Sequence, residues 1–193
     1  LGQFEDAELE ILLYEFKADL AQFFAWWGPG APIHSLADLV AFNLAHPAEE
    51  LRYFGQEIAL MAEAKGPLTE PRYTAALARN RRLSRTEGID AVMTRYKLDA
   101  LVAPTGGPAW LSDLVNGDSG TATAPGPSTV TSVAGYPHVT VPMGFDHGLP
   151  VGLSFFGRAW SEARLISLAY AYEQATRHRR PPTFAPTAEL TRE

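Results

Sequence analysis

The sequence predicts an α/β protein: a helical run, then a small group of strands, then a closing helix. Three observations carry this. Up to about Lys97 the apolar side chains recur at alternating three- and four-residue intervals, the helical period. From Leu98 to Phe156 the pattern changes to short apolar runs and strict alternation. After Ser161 the helical spacing returns. Residues 1–97 are therefore expected to form a helical segment, and residues 98–193 a strand-loop-strand-strand-helix segment of the same domain.

The bulk numbers fit this reading. The chain has 193 residues, 46% apolar and 11% aromatic, enough to bury a core. A net charge of −6 argues against a nucleic-acid partner. No apolar run approaches the roughly 20 residues needed to span a bilayer. No membrane partner is expected, and cytoplasm is the default compartment. The absence of cysteine excludes disulfides, thiolate chemistry and a cysteine zinc site. Leu1 is not a Met, so a processed chain or a piece of a longer one is expected.

Taken in order, the first helix is expected from Glu5 or Asp6 to Trp27, with Leu9, Leu13, Phe16, Leu20, Phe23 and Trp27 as one buried stripe. This reads as core packing rather than as a cofactor groove. Acidic residues in its first turn complement the helix dipole, and Gly28-Pro29-Gly30 stops it. Ser35 is a good N-cap for a second helix, with Asp38 at the capping-box position and Leu36, Leu39, Val40 and Leu44 buried. A third helix is expected from Ala48 to Ala64 through Leu51, Phe54, Ile58 and Met61. A fourth runs from near Thr69 to Tyr96 through Tyr73, Leu77, Ile89, Val92 and Met93, with Gly88 as its weak point. Its cluster of Arg79, Arg81, Arg82 and Arg85 reads as a solvated face paired with carboxylates rather than a phosphate site.

Leu98 to Ala103, closed by Pro104, has the look of a strand buried on both faces. A long loop rich in Gly, Pro, Ser and Thr follows, from Pro104 to Tyr136. Loops beyond about 15 residues are uncommon in compact domains unless they bind something or are disordered. Strands at His138–Pro142 and Pro150–Phe156 alternate as an antiparallel hairpin, with a turn of about five residues around Asp146-His147-Gly148. The last helix starts at Ser161 and packs Leu165, Leu168, Ala169 and Tyr172 before a basic turn, Arg177 to Arg180.

The sequence shows no self-contained catalytic engine. Gly117-Asp118-Ser119-Gly120-Thr121 lacks the register of a nucleophile elbow. Lys17, Lys65 and Lys97 are preceded at Ser-x-x-Lys spacing by Tyr14, Ala62 and Thr94. The histidines His34, His46, His138, His147 and His178 have no metal-ligand spacing. His138, at a strand start, reads as a capped or half-buried structural histidine.

Several blocks together carry a resemblance. They are Leu101-Val102-Ala103-Pro104-Thr105, Gly107-Pro108-Ala109-Trp110, Ala134-Gly135-Tyr136-Pro137 with Val139-Thr140-Val141-Pro142, and Leu149-Pro150-Val151-Gly152-Leu153-Ser154-Phe155-Phe156-Gly157. Tyr14-Glu15-Phe16-Lys17 and Tyr53-Phe54-Gly55-Gln56-Glu57 look like upstream parts of the same pattern. Over about residues 10 to 184 the chain closely resembles the C-terminal half of amidase signature enzymes. The resemblance implies one mixed sheet flanked by helices, of which this half supplies later strands. It implies hydrolysis of linear amide bonds by a serine, a second serine on a cis peptide bond and a lysine, without a metal or other cofactor. That triad belongs to an N-terminal Gly-Gly-Ser-Ser-Gly-Gly-like segment that does not occur here, so no catalytic residue is assigned within this chain. The resemblance further implies that the loop from Thr105 to Ser128 forms part of a substrate-pocket wall. Thr105, Trp110 and Asp118 are its candidate substrate-binding residues. Two roles are open to Trp110, stacking on the substrate or anchoring the loop. Asp118 either binds a cationic or amide-bearing end or makes an Asx turn with Gly120.

The expected partners are a small amide substrate, met together with an N-terminal half, and a second copy of the chain through an open sheet edge. The alternative is a non-catalytic binding or assembly module, such as part of an amidotransferase-like subunit. A stand-alone hydrolase using Ser119 or Ser154 is disfavoured, because local sequence positions no base for either.

Overall fold

The computed structural model describes residues 5–110, 115 and 126–184. The chain divides into two compact units, Leu1–Asn80 and Arg81–Glu193.

The first unit is helical: α1 (Glu5–Trp27), α2 (Leu36–Ala45), α3 (Pro47–Glu50), α4 (Glu57–Glu63) and α5 (Pro71–Arg81). Ser35 caps α2 as expected, its hydroxyl accepting the Asp38 N–H at 3.1 Å. The capping box is displaced by one residue, since the Asp38 carboxylate accepts from His34 N–H rather than from Ser35. That bond, with the Ser35 hydroxyl, holds the Asp38 carboxyl below its ordinary range. The buried side of α1 differs from the expected stripe. Ile11 and Tyr14 pack with Tyr73, and Leu13 packs with Leu36 and Ala62, so two clusters bury adjoining arcs of the helix. Leu9, Phe16, Phe23 and Trp27 are exposed.

The expected helix from Ala48 to Ala64 is two short helices separated by Leu51–Gln56. Gly55 favours the break. Gln56 instead spends its side chain on α2, accepting from Asn43 Nδ2 at 3.2 Å and donating to the Val40 carbonyl at 3.3 Å. Its apolar positions Phe54, Ile58 and Met61 are exposed, and Ala62 is buried in their place. Leu44, expected in the core, is 62% exposed.

The second unit opens with a π-helical segment, Arg82–Ile89, followed by α6 (Asp90–Tyr96), β1 (Leu101–Pro104), α7 (Ser128–Ala134), β2 (His138–Asp146), β3 (Leu149–Phe156) and α8 (Glu162–Thr176). The fourth helix is therefore three pieces. Gly88 leaves the helical region (φ −103°, ψ −109°), and Asp90 N–H bonds five residues back to Arg85 O. Of the arginine cluster, Arg82 pairs with Glu87 at 2.6 Å as expected. Arg85 instead donates to Ala134 O at 2.7 Å and lies over the Tyr136 ring.

The sheet is antiparallel, in the order β1-β3-β2. β1 pairs with β3 along one edge and is not buried on both faces. Val102 is 58% exposed, and Leu101 and Ala103 face the core. Leu98 is not in the strand; its N–H closes α6 by bonding Met93 O at 3.0 Å. The β2–β3 turn is the two residues His147-Gly148, both at positive φ (49° and 75°), as a tight hairpin matched to strand twist requires. Pro142 and Gly144 face successive β3 residues, so Met143 is the extra residue of a bulge.

Alternation along β3 divides the core. Phe155 joins Val141, Leu165 and Ala169 beneath α8, and Phe156 joins Ile89, Met93 and Ala134 on the other face. The long loop is interrupted by α7, a helix unexpected from its β-branched and Ser-rich sequence. It ends in a Schellman motif. Gly135 adopts φ 62°, its N–H bonds Ser132 O, and Tyr136 N–H bonds Thr131 O.

Leu165 is fully buried beneath the sheet. Leu165→Ala is expected to lose about 2–5 kcal/mol. A fall in the urea midpoint with an unchanged slope would report it.

Candidate functional site

On the face of the sheet opposite α8, five polar side chains converge. Thr105 follows β1, Thr140 and His138 lie on β2, Ser154 lies on β3 and Thr131 on α7. The register sets Thr140 and Ala103 opposite Ser154, so β1 delivers Thr105, two residues on, to the same face. Ser154 is the hub. Its Oγ lies 2.8 Å from Thr105 Oγ1, 3.3 Å from Thr140 Oγ1 and 2.6 Å from His138 Nε2. Thr105 and Thr140 are also hydrogen-bonded to each other. His138 Nδ1 lies 3.2 Å from Thr131 Oγ1.

The proton positions follow from these partners. Thr131 has one hydroxyl proton and donates it to the Pro127 and Ser128 carbonyls, each at 3.0 Å. Toward the imidazole Thr131 is thus the acceptor, and His138 carries its proton on Nδ1. Nε2 accepts from the Ser154 hydroxyl, Ser154 accepts in turn from the closer Thr105 hydroxyl, and Thr140 donates to Thr105.

Glycines let the chain close around Thr105. A Cβ on Gly126 would collide with Thr105 O, and one on Gly152 would lie 2.8 Å from Thr105 Oγ1. Thr105 N–H donates to Gly152 O at 2.7 Å. The start of the long loop and Gly126, just before α7, are thereby brought together.

Of the residues singled out from sequence, Thr105 is in this cluster. Trp110 is 51% exposed. Asp118 and Ser119 lie outside the described residues. Sequence reasoning missed the Ser154–His138 pair, which only the β2–β3 register brings together. The pair has the spacing of a nucleophile and its base, but Ser154 has 0% exposure and oxygens on either side, so no carbonyl carbon reaches it. The lysines are engaged elsewhere: Lys17 with Glu63 and Lys65 with Glu10, and Lys97 closes α6 at φ 54°. Among the described residues, no group of three or more His, Asp or Glu is placed to hold a metal ion. No described helix is long and apolar enough to cross a membrane.

Comparison with known proteins gives this fold a family. The amidase family model matches residues 3–166, and the chain belongs to that family. A probable amidase of Arabidopsis thaliana is 38% identical over 186 residues, covering 95% of this chain and 32% of the relative. The native peptide amidase of Stenotrophomonas maltophilia superposes with a TM-score of 0.83 at 50% identity, over 95% of this chain and 36% of its own. An amidase family protein of Bacillus anthracis gives 0.72 at 28% identity, over 91% and 31%. The chain spans about a third of the length of these relatives. The α/β fold and the family expected from the sequence blocks both stand.

Burial lowers the His138 pKa below the ordinary imidazole value. As pH falls below about 6.5 the unfolded chain takes up a proton that folded His138 resists. The contribution is thus fully present above that value and lost as pH drops toward the folded pKa. Replacing His138 by Gln is expected to flatten this part of the dependence, read as the thermal midpoint from about pH 7.5 to about pH 5.

Proposed function

We propose that this chain is the C-terminal portion of an amidohydrolase that cleaves linear carbon–nitrogen bonds, with peptide amides as the substrate class. The observation that carries the reading is the match to the Stenotrophomonas maltophilia peptide amidase, 50% identical over 95% of this chain. In this reading the Ser-cisSer-Lys triad lies outside these residues. The portion described here completes the sheet and supplies one wall of the cleft, from Thr105 through Trp110 to Ser128. Amide hydrolysis needs such a wall, because the carbonyl must be held against the nucleophile and the oxyanion donors in a water-poor site. Asp118 is the proposed contact for a polar end of the substrate.

The first unit carries exposed Phe16, Phe23, Trp26, Phe42 and Phe54, a large apolar surface for a chain in water. In the proposed enzyme these residues meet the N-terminal portion. Alone, the chain is expected to self-associate.

The test is ammonia release from a peptide amide. The 193-residue chain alone is expected to give none. A chimera joining it to the N-terminal two-thirds of the Stenotrophomonas maltophilia peptide amidase is expected to turn over. Hydrolysis by the chain alone, abolished by Ser154→Ala, would overturn the reading.

A further inference from the structure

The polar cluster does something that neither a core nor a nucleophile requires: it links two distant points of the chain. Starting at Thr105, hydrogen bonds run to Ser154, to His138 Nε2, through the ring to Nδ1, to Thr131, and from Thr131 to Pro127 O. Thr105 begins the segment read above as the pocket wall, and Pro127 is next to its last residue, Ser128, whose carbonyl Thr131 also bonds. The contact of Gly126 with Thr105 O closes the same gap through backbone.

We propose that His138 and Ser154 are positioning residues of the amidase site, tying the two ends of the wall segment to one another and to the sheet. The proposal rests on the amidase reading for its functional meaning and on the described geometry for the tie itself. Neither residue touches substrate. Each acts through Thr105 on one side and Pro127 on the other. The ring takes part in the tie as the neutral imidazole. Thr131 already gives its proton to carbonyls, so neutral His138 has Nε2 free to accept from Ser154. Protonation makes Nε2 a donor and forces the Ser154 hydroxyl to turn toward Thr105 or Thr140. The ring faces Thr131 from α7, and Ser154 and Phe156 from β3. None of these is a carboxylate that would neutralise the new charge, so the charged ring is disfavoured there.

Kinetics of the chimera and hydrogen exchange of the 193-residue chain test the proposal together. In the chimera, His138→Ala is expected to raise KM about tenfold, the scale of one buried hydrogen bond, with a smaller change in kcat. His138→Gln, whose Oε1 can accept from Ser154, is expected to recover most of that loss. The unsubstituted chimera is expected to show a rise in KM at acid pH, and His138→Gln is expected to remove it. A variant that merely unfolds a fraction of the enzyme would lower kcat per total protein and leave KM and its pH profile alone; that result overturns the proposal. In the chain by itself, His138→Ala and Ser154→Ala should both accelerate exchange at Thr105 N–H and Thr131 N–H together, while the Leu165 and Ala169 amides of α8 stay slow. Loosening of one end without the other overturns the tie. A silent unsubstituted chimera counts against the amidase reading instead, and the exchange rates then uphold or overturn the tie on their own.

Discussion

The second unit depends on β3, whose backbone hydrogen-bonds β1 on one side and β2 on the other. Because side chains alternate, this one strand divides the apolar material between two cores. Phe155 goes under α8, and Phe156 goes toward α6 and α7. A slip of one residue would exchange the two phenylalanines and turn Ser154 into the apolar layer beneath α8. The tight His147-Gly148 turn sets the register with β2, and the bulge at Met143 sits between that turn and the polar cluster. Sheet pairing thus positions the hydroxyls.

A buried serine is acceptable only if its hydroxyl is satisfied. Ser154 meets that condition several times over, with three neighbours in reach. An apolar residue would fill the same space without needing partners, as Phe155 and Phe156 do beside it. What the polar choice adds is direction. Hydrogen bonds fix the angle and distance of Thr105 and of Thr131 through the ring, which dispersion contacts do not. The helix–loop junction is pinned from the other side as well. Arg85 donates to Ala134 O at the C-terminus of α7, and the Tyr136 hydroxyl donates to Asp90 at 2.8 Å. Burial, with that bond to a carboxylate, raises the Tyr136 pKa and keeps the phenol a donor.

Where the sequence carries period and punctuation, it was legible. Both hairpin strands, the Ser35 cap, the α8 core of Leu165 and Ala169 and the Gly88 break all follow from local rules. The misreadings share a physical cause, which is that tertiary partners decide them. α7 is built from Ser, Thr and Val, weak helix formers held by the Gly135 cap, the Thr131 bonds and the Arg85 contact. On α1, the 4-3 stripe from Leu9 to Trp27 is a genuine apolar face, but the partners that α1 meets in the first unit, Tyr73, Leu36 and Ala62, lie over the neighbouring arcs. Periodicity identifies a face and is silent on what covers it. The candidate site was legible only at Thr105, through the family blocks. Ser154 and His138 lie sixteen residues apart, and their meeting depends on a register that no local spacing encodes.

The Ser154–His138 pair also shows why distance is a poor guide to chemistry. At 2.6 Å it matches the contact of a nucleophile with its base. A nucleophile must also reach an electrophilic carbon and have donors waiting for the oxyanion. Ser154 has neither, since the directions open to its Oγ are taken by Thr105, Thr140 and the imidazole. The group that would orient a catalytic imidazole is ordinarily a carboxylate, which stabilises the imidazolium as it forms. Here Thr131 stands in that place, and its oxygen carries no charge to do so. Burial then works in the opposite sense, holding His138 neutral. A histidine kept neutral beside a serine with no exposed surface accepts a hydrogen bond and passes no proton onward. The same atoms that would make a poor catalyst make a firm brace.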